Sequence, residues 1–574
     1  MTARGHGRLA TVLTTLAILT GACAPAAGPV PAASPAAGGG AVPSAAPVRG
    51  GTLVFAIWQE PTTLLPIYAN QVVAGVVGQV VTEGLVRTAN DGSYVPQLAK
   101  QVPTLANGGV KLSADGTRMD VTYELLPDVK WSDGTPFTSA DVKFTWETFL
   151  KDPKVVTREG YDQIESIDTP SPTTVVLHYK RIYGPYLTRF TGLIPKSMEK
   201  EGDLSKSKYN FQPVGTGPFV ISEFVAADHI TAERNPSYRV KDRPYLDKIV
   251  FRSVPSREAA VAQLKAGEVD GMWNLLEAQT PDLEKDANIR IIATPGPSVE
   301  RLELNHVKNA DPADPSVPHP VLGELAMRRA LNLATPKQQM IDKLLFGKAK
   351  VGTSPVSQGW ASPKGLSQES YDPKQAGAVL DQAGWVKGAD GIRAKNGVRA
   401  AITITTTTGD KVREQVEQIL IDEWKQIGVE LSIKNQPSAV LLSGSWSAGD
   451  PRKRGSFDIV MYASSPAIDP HSVISQRYTS ANIPTAANGG NGQNYTRFKN
   501  AEADAAIAEA GASVDQAKRA ELYAKALKLL NDDVAIIWLY DRQNIDALRA
   551  NVSGAQGNVW QNITWSAADW SIRK

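Results

Sequence analysis

Helical segments alternate with short apolar strands along most of the chain, and this alternation limits the possible folds more than any other feature. The clearest helix is predicted over residues 410–427, where apolar side chains recur with the rhythm of one buried helix face. Asp410 can cap its start and Gly428 can end it, and an alternating strand follows over residues 429–433. The pattern is typical of α/β lobes with largely parallel sheets, in which ligands bind at the carboxyl ends of strands.

The same kinds of apolar pattern predict further strands and helices in the rest of the chain. Apolar or alternating runs predict further strands at 51–58, 269–273, 301–305, 457–462 and 535–540. Helical periodicity predicts helices at 70–85, 256–267, 322–345 with a break near Pro336, and 517–530.

The length of 574 residues exceeds what one hydrophobic core supports, since single cores stop growing near about 250–300 residues. We therefore expect at least two lobes. The net charge of +2 argues against a nucleic-acid binder, and a single cysteine excludes an intramolecular disulfide. The six histidines lack metal-ligand spacing, so we expect no histidine-based zinc site. We also expect no cofactor.

The first residues predict export. A basic start, an apolar run over residues 9–20 and small residues before Cys23 have the layout of a signal peptide over residues 1–22. Residues 19–23 resemble a bacterial lipobox, which predicts lipidation of Cys23; ordinary cleavage nearby is the alternative. Residues 23–49 would then form an Ala/Pro/Gly-rich tether, and we expect a lipid anchor on the extracytoplasmic face of the cell membrane or in the periplasm.

The segment 129–142, with the sequence Val-Lys-Trp-Ser-Asp-Gly-Thr-Pro-Phe-Thr-Ser-Ala-Asp-Val, has a local structural explanation. Asp133-Gly134 supplies a turn, and Thr138 with Asp141 forms a near capping box at a helix start. Trp131 and these residues are therefore predicted to have a structural role.

This segment also resembles the signature of the large extracellular solute-binding proteins of peptide and nickel ABC importers, family 5. The resemblance covers nearly everything from Gly50 onward. Other segments agree in the same order along the chain: residues 83–85, 214–219, 234–238, 264–270, 328–332 and 371–373.

The resemblance implies a periplasmic-binding-protein-like α/β fold of class II, with two lobes joined by a hinge and a third, inserted subdomain. The implied boundaries are listed by part: lobe I at 50–85, 210–295 and 535–574, the insertion at 86–209, and lobe II at 296–534.

The function implied is capture of an extended ligand, most simply an oligopeptide, by hinge closure and its delivery to the membrane permease subunits of an ABC importer. We expect a monomer that is not an enzyme. Non-peptide solutes such as an oligosaccharide or a metal chelate, a ligand sensor with the same fold, and more remotely a secreted hydrolase remain alternatives. No sequence motif of a metalloprotease, serine hydrolase or P-loop is present.

Ligand contacts are expected from side chains at strand ends that face the cleft between the lobes, where aromatic faces and a few polar groups fix a ligand. Each could instead be a core, turn or surface residue. The candidates are Trp58, Glu60, Thr62, Trp273, Asn305, Trp360, Tyr462, Ser464, Asp469, Asn494 and Tyr495.

One position departs from the family pattern. Counting back from Asp469, the aspartate that often holds a peptide amine in the family falls on Pro466. The resemblance therefore leaves two possibilities open: Asp469 takes this role in a shifted loop, or the ligand is not held by its amine.

Overall fold

The computed structural model describes residues 47–307, 317–465 and 467–573. Numbered along the chain, the strands of the first half are β1 Thr52–Ile57, β2 Val86–Thr88, β3 Tyr94–Pro96, β4 Val110–Leu112, β5 Met119–Glu124, β6 Ile164–Ser171, β7 Thr174–Tyr179, β8 Phe219–Val225, β9 His229–Arg234, β10 Lys248–Ser253, β11 Gly271–Met272 and β12 Ile289–Leu304. Those that follow are β13 Ala349–Val351, β14 Val386–Lys387, β15 Arg393–Lys395, β16 Val398–Arg399, β17 Ala401–Thr405, β18 Glu430–Ile433, β19 Ile459–Ser464, β20 Ile536–Arg549, β21 Val552–Ser553 and β22 Ser571–Ile572.

The helices are named in the same way. They are α1 Val72–Gly78, α2 Ser139–Lys151, α3 Arg257–Ala266, α4 Thr280–Leu283, α5 Leu325–Leu333, α6 Lys337–Leu344, α7 Pro373–Gln382, α8 Lys411–Gln426, α9 Ser438–Leu441, α10 Pro451–Arg454, α11 His471–Tyr478, α12 Ala501–Gly511 and α13 Gln516–Asp532. None of the helices in the described part of the chain has the length and apolar character needed to cross a bilayer.

One large sheet runs through the molecule in the order β18-β17-β19-β12-β20-β11-β1-β10-β9-β8, and β13 also pairs with β20. Within the described residues, four of its strand pairings are parallel and six are antiparallel. The prediction of largely parallel sheets is therefore wrong. The cause is that β8 and β9 form a hairpin and that the long strands β12 and β20 run in opposite directions.

Alternation along β12 and β20 divides the core of one half of the sheet into two layers. Ile537 and Leu539 pack on one face with the helices α5, α6 and α8, whereas Ile536 and Trp538 pack on the other with α11, α12 and α13. Successive strand residues point to opposite faces, so a run of apolar residues serves two layers at once. This explains why β20 begins as an unbroken apolar sequence.

The other half of the sheet follows the same rule. Leu53, Phe55 and Ile57 of β1 pack into one core, and Ala56 packs into another beside α3. A separate sheet, in the order β4-β5-β7-β6, packs with α2 around a third core. Residues 86–209 therefore contribute their own hydrophobic core, and their boundary as an inserted subdomain stays a prediction.

The ribbon of β12 and β20 joins the two halves of the large sheet. Its ladder has a register shift between Pro295 and Val299 and a smaller one between Glu300 and Arg301; it is regular from Ile289 to Pro295 and from Arg301 onward. A shift of this kind is a β-bulge, which bends and twists a ribbon locally. The bulge lies where the two halves meet.

Local predictions fare unevenly. Helix α8 begins after its cap Asp410, whose carboxylate accepts hydrogen bonds from the backbone of residues 412 and 413, and Gly428 has a positive φ of 84°. The capping box at α2 is also confirmed, with the Thr138 backbone N–H donating to Asp141 at 2.6 Å. The helix predicted over residues 70–85 is shorter in the structure, because α1 ends at Gly78 and the chain turns there.

Candidate functional site

A cavity of about 990 Å³ lies between three parts of the chain. Its walls come from the loop after β11, from the region of β2 and β3 with residues 187–189 and 191, and from the residues that follow β19; residues 544–546 and 557–563 also line it. The volume is at the upper end of the range of about 300–1,000 Å³ for small-molecule sites. Its size therefore suits an extended ligand.

An aromatic stack supports the cavity wall. Trp273 lines the cavity and stacks on Trp58, with ring centroids 5.5 Å apart and planes 9° from parallel. The guanidinium of Arg257 lies 3.7 Å from the Trp58 ring centroid and also donates to the side chain and carbonyl of Asn274. The stack and its cation hold Trp273 in one orientation.

Amide side chains dominate the polar part of the wall. They can each donate and accept hydrogen bonds, as a peptide main chain does. The lining amides in the described part of the chain are Gln59, Gln71, Gln79, Gln97, Asn274, Asn544, Asn558, Gln561 and Asn562.

Several lining residues bury a polar atom that finds no hydrogen-bond partner among the described residues. These atoms are Gln79 Oε1, Tyr94 OH, Asn558 Nδ2 and Trp560 Nε1. Leaving such an atom unpaired costs about 1–3 kcal/mol. Side chains with unmet hydrogen-bonding capacity therefore cluster around one space.

Charge is sparse in this wall. The charged lining residues in the described ranges are Arg87, Arg189 and Asp546. Arg87 is exposed and lies 5.3 Å from the centroid of the Trp565 ring, whereas Arg189 donates to Thr188 Oγ1. The cavity thus presents isolated charges on a largely neutral, amide-rich surface.

A second buried carboxylate lies on β20, the strand that carries Asp546, but it does not line the cavity. Asp541 of β20 is 8% exposed, and burial raises its pKa to about 7. Because the folded pKa lies above the ordinary value of 3.8, this group favours the folded state below about pH 4, and that contribution is lost as pH rises through 7.

Asp541→Asn is therefore expected to raise the free energy of unfolding by on the order of 2–4 kcal/mol at pH 8 and to change it little at pH 3.5. Denaturant unfolding at the two pH values measures this. Asp282→Asn, at an exposed carboxylate, is the matched control and should change little at either pH. Equal effects of Asp541→Asn at both pH values would contradict the expectation.

The structure brings one of the candidates from the sequence, Trp273, into the cavity wall and places Trp58 directly beside it. Glu60 accepts a hydrogen bond from the backbone N–H of Ala227. Thr62 donates from its backbone and hydroxyl to Gln71, a lining residue, at 2.8 and 3.1 Å. Neither Glu60 nor Thr62 lines the cavity.

Three further candidates lie in a buried polar cluster. Tyr462 donates to Glu303 Oε1 at 2.8 Å, and Ser464 accepts from Arg301, which also donates to Glu303 at 2.9 Å. Asn305 is fully buried and donates to the carbonyls of residues 455 and 457. These side chains are occupied by internal contacts, and their binding role stays a prediction.

Asp469 is likewise buried and forms two hydrogen bonds to Arg519, at 2.6 and 2.7 Å. Trp360 lies beside the same cation, with its ring centroid 5.1 Å from the guanidinium carbon. In the described structure, the carboxylate of Asp469 is thus directed to Arg519.

The remaining candidates lie in the loop before α12. Asn494 donates to the carbonyls of residues 479 and 498, and the Tyr495 ring lies 4.9 Å from the guanidinium of Arg452. Cys23 and Pro466 lie outside the described residues.

Sequence reasoning missed most of the cavity wall. Residues 557–563, with the sequence Gly-Asn-Val-Trp-Gln-Asn-Ile, combine glycine, amides and an indole in a short segment without helical or strand periodicity. That composition in a non-repetitive segment is the signal that could have found them. Arg87 and Gln79 carried no comparable signal.

Two halves that share one sheet, with an amide- and tryptophan-lined cavity between parts of the chain, define a binding protein for a solute. The chain belongs to the bacterial extracellular solute-binding proteins, family 5, whose middle region matches residues 93–485. Proteins of this family are extracytoplasmic substrate-binding proteins of transporters rather than enzymes.

Similar proteins bind different solutes. Protein XP55 of Streptomyces lividans is 28% identical over 493 residues, which are 85% of this chain and 83% of that protein. The oligopeptide-binding protein AppA of Bacillus subtilis, solved with a nonapeptide, is 25% identical with a TM-score of 0.67, over 92% of this chain and 100% of that chain. NikZ of Campylobacter jejuni, solved with Ni(L-His), is 24% identical with a TM-score of 0.69, over 91% and 99%.

Proposed function

We propose that the protein binds an oligopeptide in the cavity by closing its two halves and delivers it to the membrane permease of an ABC importer. The observation that carries this proposal is the set of buried, unpartnered polar atoms around an amide-lined cavity of about 990 Å³. A peptide main chain offers alternating donors and acceptors that match such a wall. The nonapeptide bound to AppA is the chemical precedent.

The position of the cavity supports closure of the two halves around a ligand. A ligand that contacts both halves binds the closed arrangement better than an open one, and it shifts the population toward the closed arrangement. The permease would then recognise the closed form.

The chain would act as a monomer tethered to the membrane by a lipid on Cys23, with residues 24–48 as spacer. The intact mass of protein extracted from membranes distinguishes an acylated N-terminal cysteine from ordinary signal-peptide cleavage. An unacylated N-terminus would refute the anchor and leave the binding function untouched.

Asn544→Trp is expected to reduce peptide binding at least tenfold. Asn544 is an exposed residue of β20 that lines the cavity, so an indole at this position fills space that the ligand needs. Native mass spectrometry with an equimolar library of random pentapeptides, and a parallel library of oligosaccharides, measures retention. Ser432→Trp, at an exposed position of β18, is the matched control.

The proposal predicts retention of peptides by the wild type and the control, and little retention by Asn544→Trp. Retention of oligosaccharides alone would contradict the proposed ligand class. Equal peptide retention by Asn544→Trp and the wild type would contradict the proposed site.

A further inference from the structure

The carboxylate in the cavity wall belongs to Asp546 on β20. Residues two apart on a strand share a face, so Asp546 lies on the same face as the exposed lining residue Asn544. Asp546 is buried, with 8% of the residue exposed. A buried carboxylate is thus presented at a cavity whose other walls are mostly neutral.

Its hydrogen bonding is incomplete. Asp546 Oδ1 accepts the backbone N–H of Asn274 at 3.0 Å, and Asn274 takes a left-handed conformation with a φ of 60° that supports this approach. No other hydrogen bond and no ion pair reaches the carboxylate from the described residues. A carboxylate has about four acceptor positions, so most of its capacity is unused.

Burial without a countercharge is unfavourable for a carboxylate. Buried charges in proteins are normally paired, since desolvation of an ion costs several kcal/mol. Here burial raises the pKa of Asp546 to about 7, with the Asn274 backbone N–H as the opposing influence. Arg542 of the same strand is already engaged with Glu277, at 2.8 and 2.9 Å.

We infer that Asp546 is the acceptor for a cationic nitrogen of the ligand, either a free peptide amine or the basic side chain of a lysine or arginine. This inference builds on the proposed function by adding a chemical class of ligand. The neighbouring indole of Trp273, which lines the same wall, supplies an apolar and π-rich surface beside the charge. The cation brought by the ligand would complete the missing ion pair.

The test compares Asp546→Asn with Asp541→Asn. Both residues are aspartates of β20, each 8% exposed with a pKa raised by burial to about 7, but only Asp546 of the two belongs to the cavity wall. Asp541 does not line the cavity. Both substitutions remove a buried carboxylate and keep its shape, so a loss of binding in Asp546→Asn alone points to the cavity wall rather than to the removal of a buried carboxylate as such.

The probe is an equimolar pentapeptide library in four forms, with free or acetylated N-termini and with or without lysine and arginine, together with spermidine and agmatine. Native mass spectrometry measures retention by the wild type and the two variants. We expect Asp546→Asn to lose at least tenfold in retention of cationic probes, and Asp541→Asn to retain them like the wild type. If retention requires a free N-terminus, the peptide amine is the cation that Asp546 binds. If retention requires lysine or arginine, the basic side chain is that cation.

The inference is overturned if no probe binds the wild type better than Asp546→Asn, whether or not peptides bind. If the wild type retains spermidine or agmatine in a manner dependent on Asp546 but retains no peptide, the inference stands and the proposed oligopeptide function fails. Equal retention of neutral and cationic peptides by the wild type and both variants supports the function and refutes the inference.

Discussion

Asp469→Ala is expected to lower the free energy of unfolding by about 3–5 kcal/mol, because it leaves the buried guanidinium of Arg519 without its countercharge. Each side chain of this pair is 4% exposed, and both carboxylate oxygens accept hydrogen bonds from Arg519. The remaining bonds of Arg519, to the carbonyl of residue 510 and to Tyr523, do not neutralise its charge. Urea unfolding followed by circular dichroism measures the loss.

The double variant Asp469→Ala with Arg519→Met tests the cause. Removing both charges should recover most of the stability, since the unpaired cation is then gone. Glu509→Ala is the control for an exposed pair: its partner Lys518 and Glu509 are about half exposed, at 52% and 53%, so the change should stay below about 1 kcal/mol. A loss below about 1 kcal/mol for Asp469→Ala itself would contradict a structural role for the pair.

Tyr462→Ala is expected to have an effect of similar size, about 3–5 kcal/mol, because a large side chain is removed from a packed interior. Tyr462 is 5% exposed, and its ring lies 4.3 Å from the guanidinium of Arg301 and 5.3 Å from that of Arg452. Tyr462→Phe keeps the ring and loses only the hydrogen bond to Glu303, so it should cost about 1–3 kcal/mol. Denaturant midpoints of both variants measure this order.

The stabilities of these two variants determine how a binding experiment on Tyr462 is interpreted. Loss of ligand binding in Tyr462→Ala is informative only at temperatures where that variant is folded, and Tyr462→Phe supplies the folded reference. Wild-type stability of Tyr462→Ala would show that the ring does not support the interior.

Much of the fold could be predicted from local sequence. The helix α8, with Asp410 before it and Gly428 after it, is set by side-chain periodicity and end residues that act within a few positions. The strand β12 could not be predicted in full, because Pro295, Gly296 and Pro297 argue against a continuous strand. Only the pairing with β20, which lies more than 200 residues away in sequence, makes it one element.

The site was harder to predict for a related reason. Trp273 and Tyr462 both follow or end an apolar strand, yet one lines the cavity and the other is buried beside Arg301. Whether such a side chain lines a cavity or packs in the interior depends on partners that come from distant segments of the sequence. Asp469 and Arg519, 50 residues apart, illustrate the same limit.

The β-bulge in the ribbon that joins the two halves contributes Pro297 and Ser298 to the cavity wall. The bend in the connection between the two halves is therefore also part of the cavity wall. Under the proposed closure, a ligand in the cavity would touch this bend directly, so no chain of intervening residues would be needed to couple binding to a change in the bend.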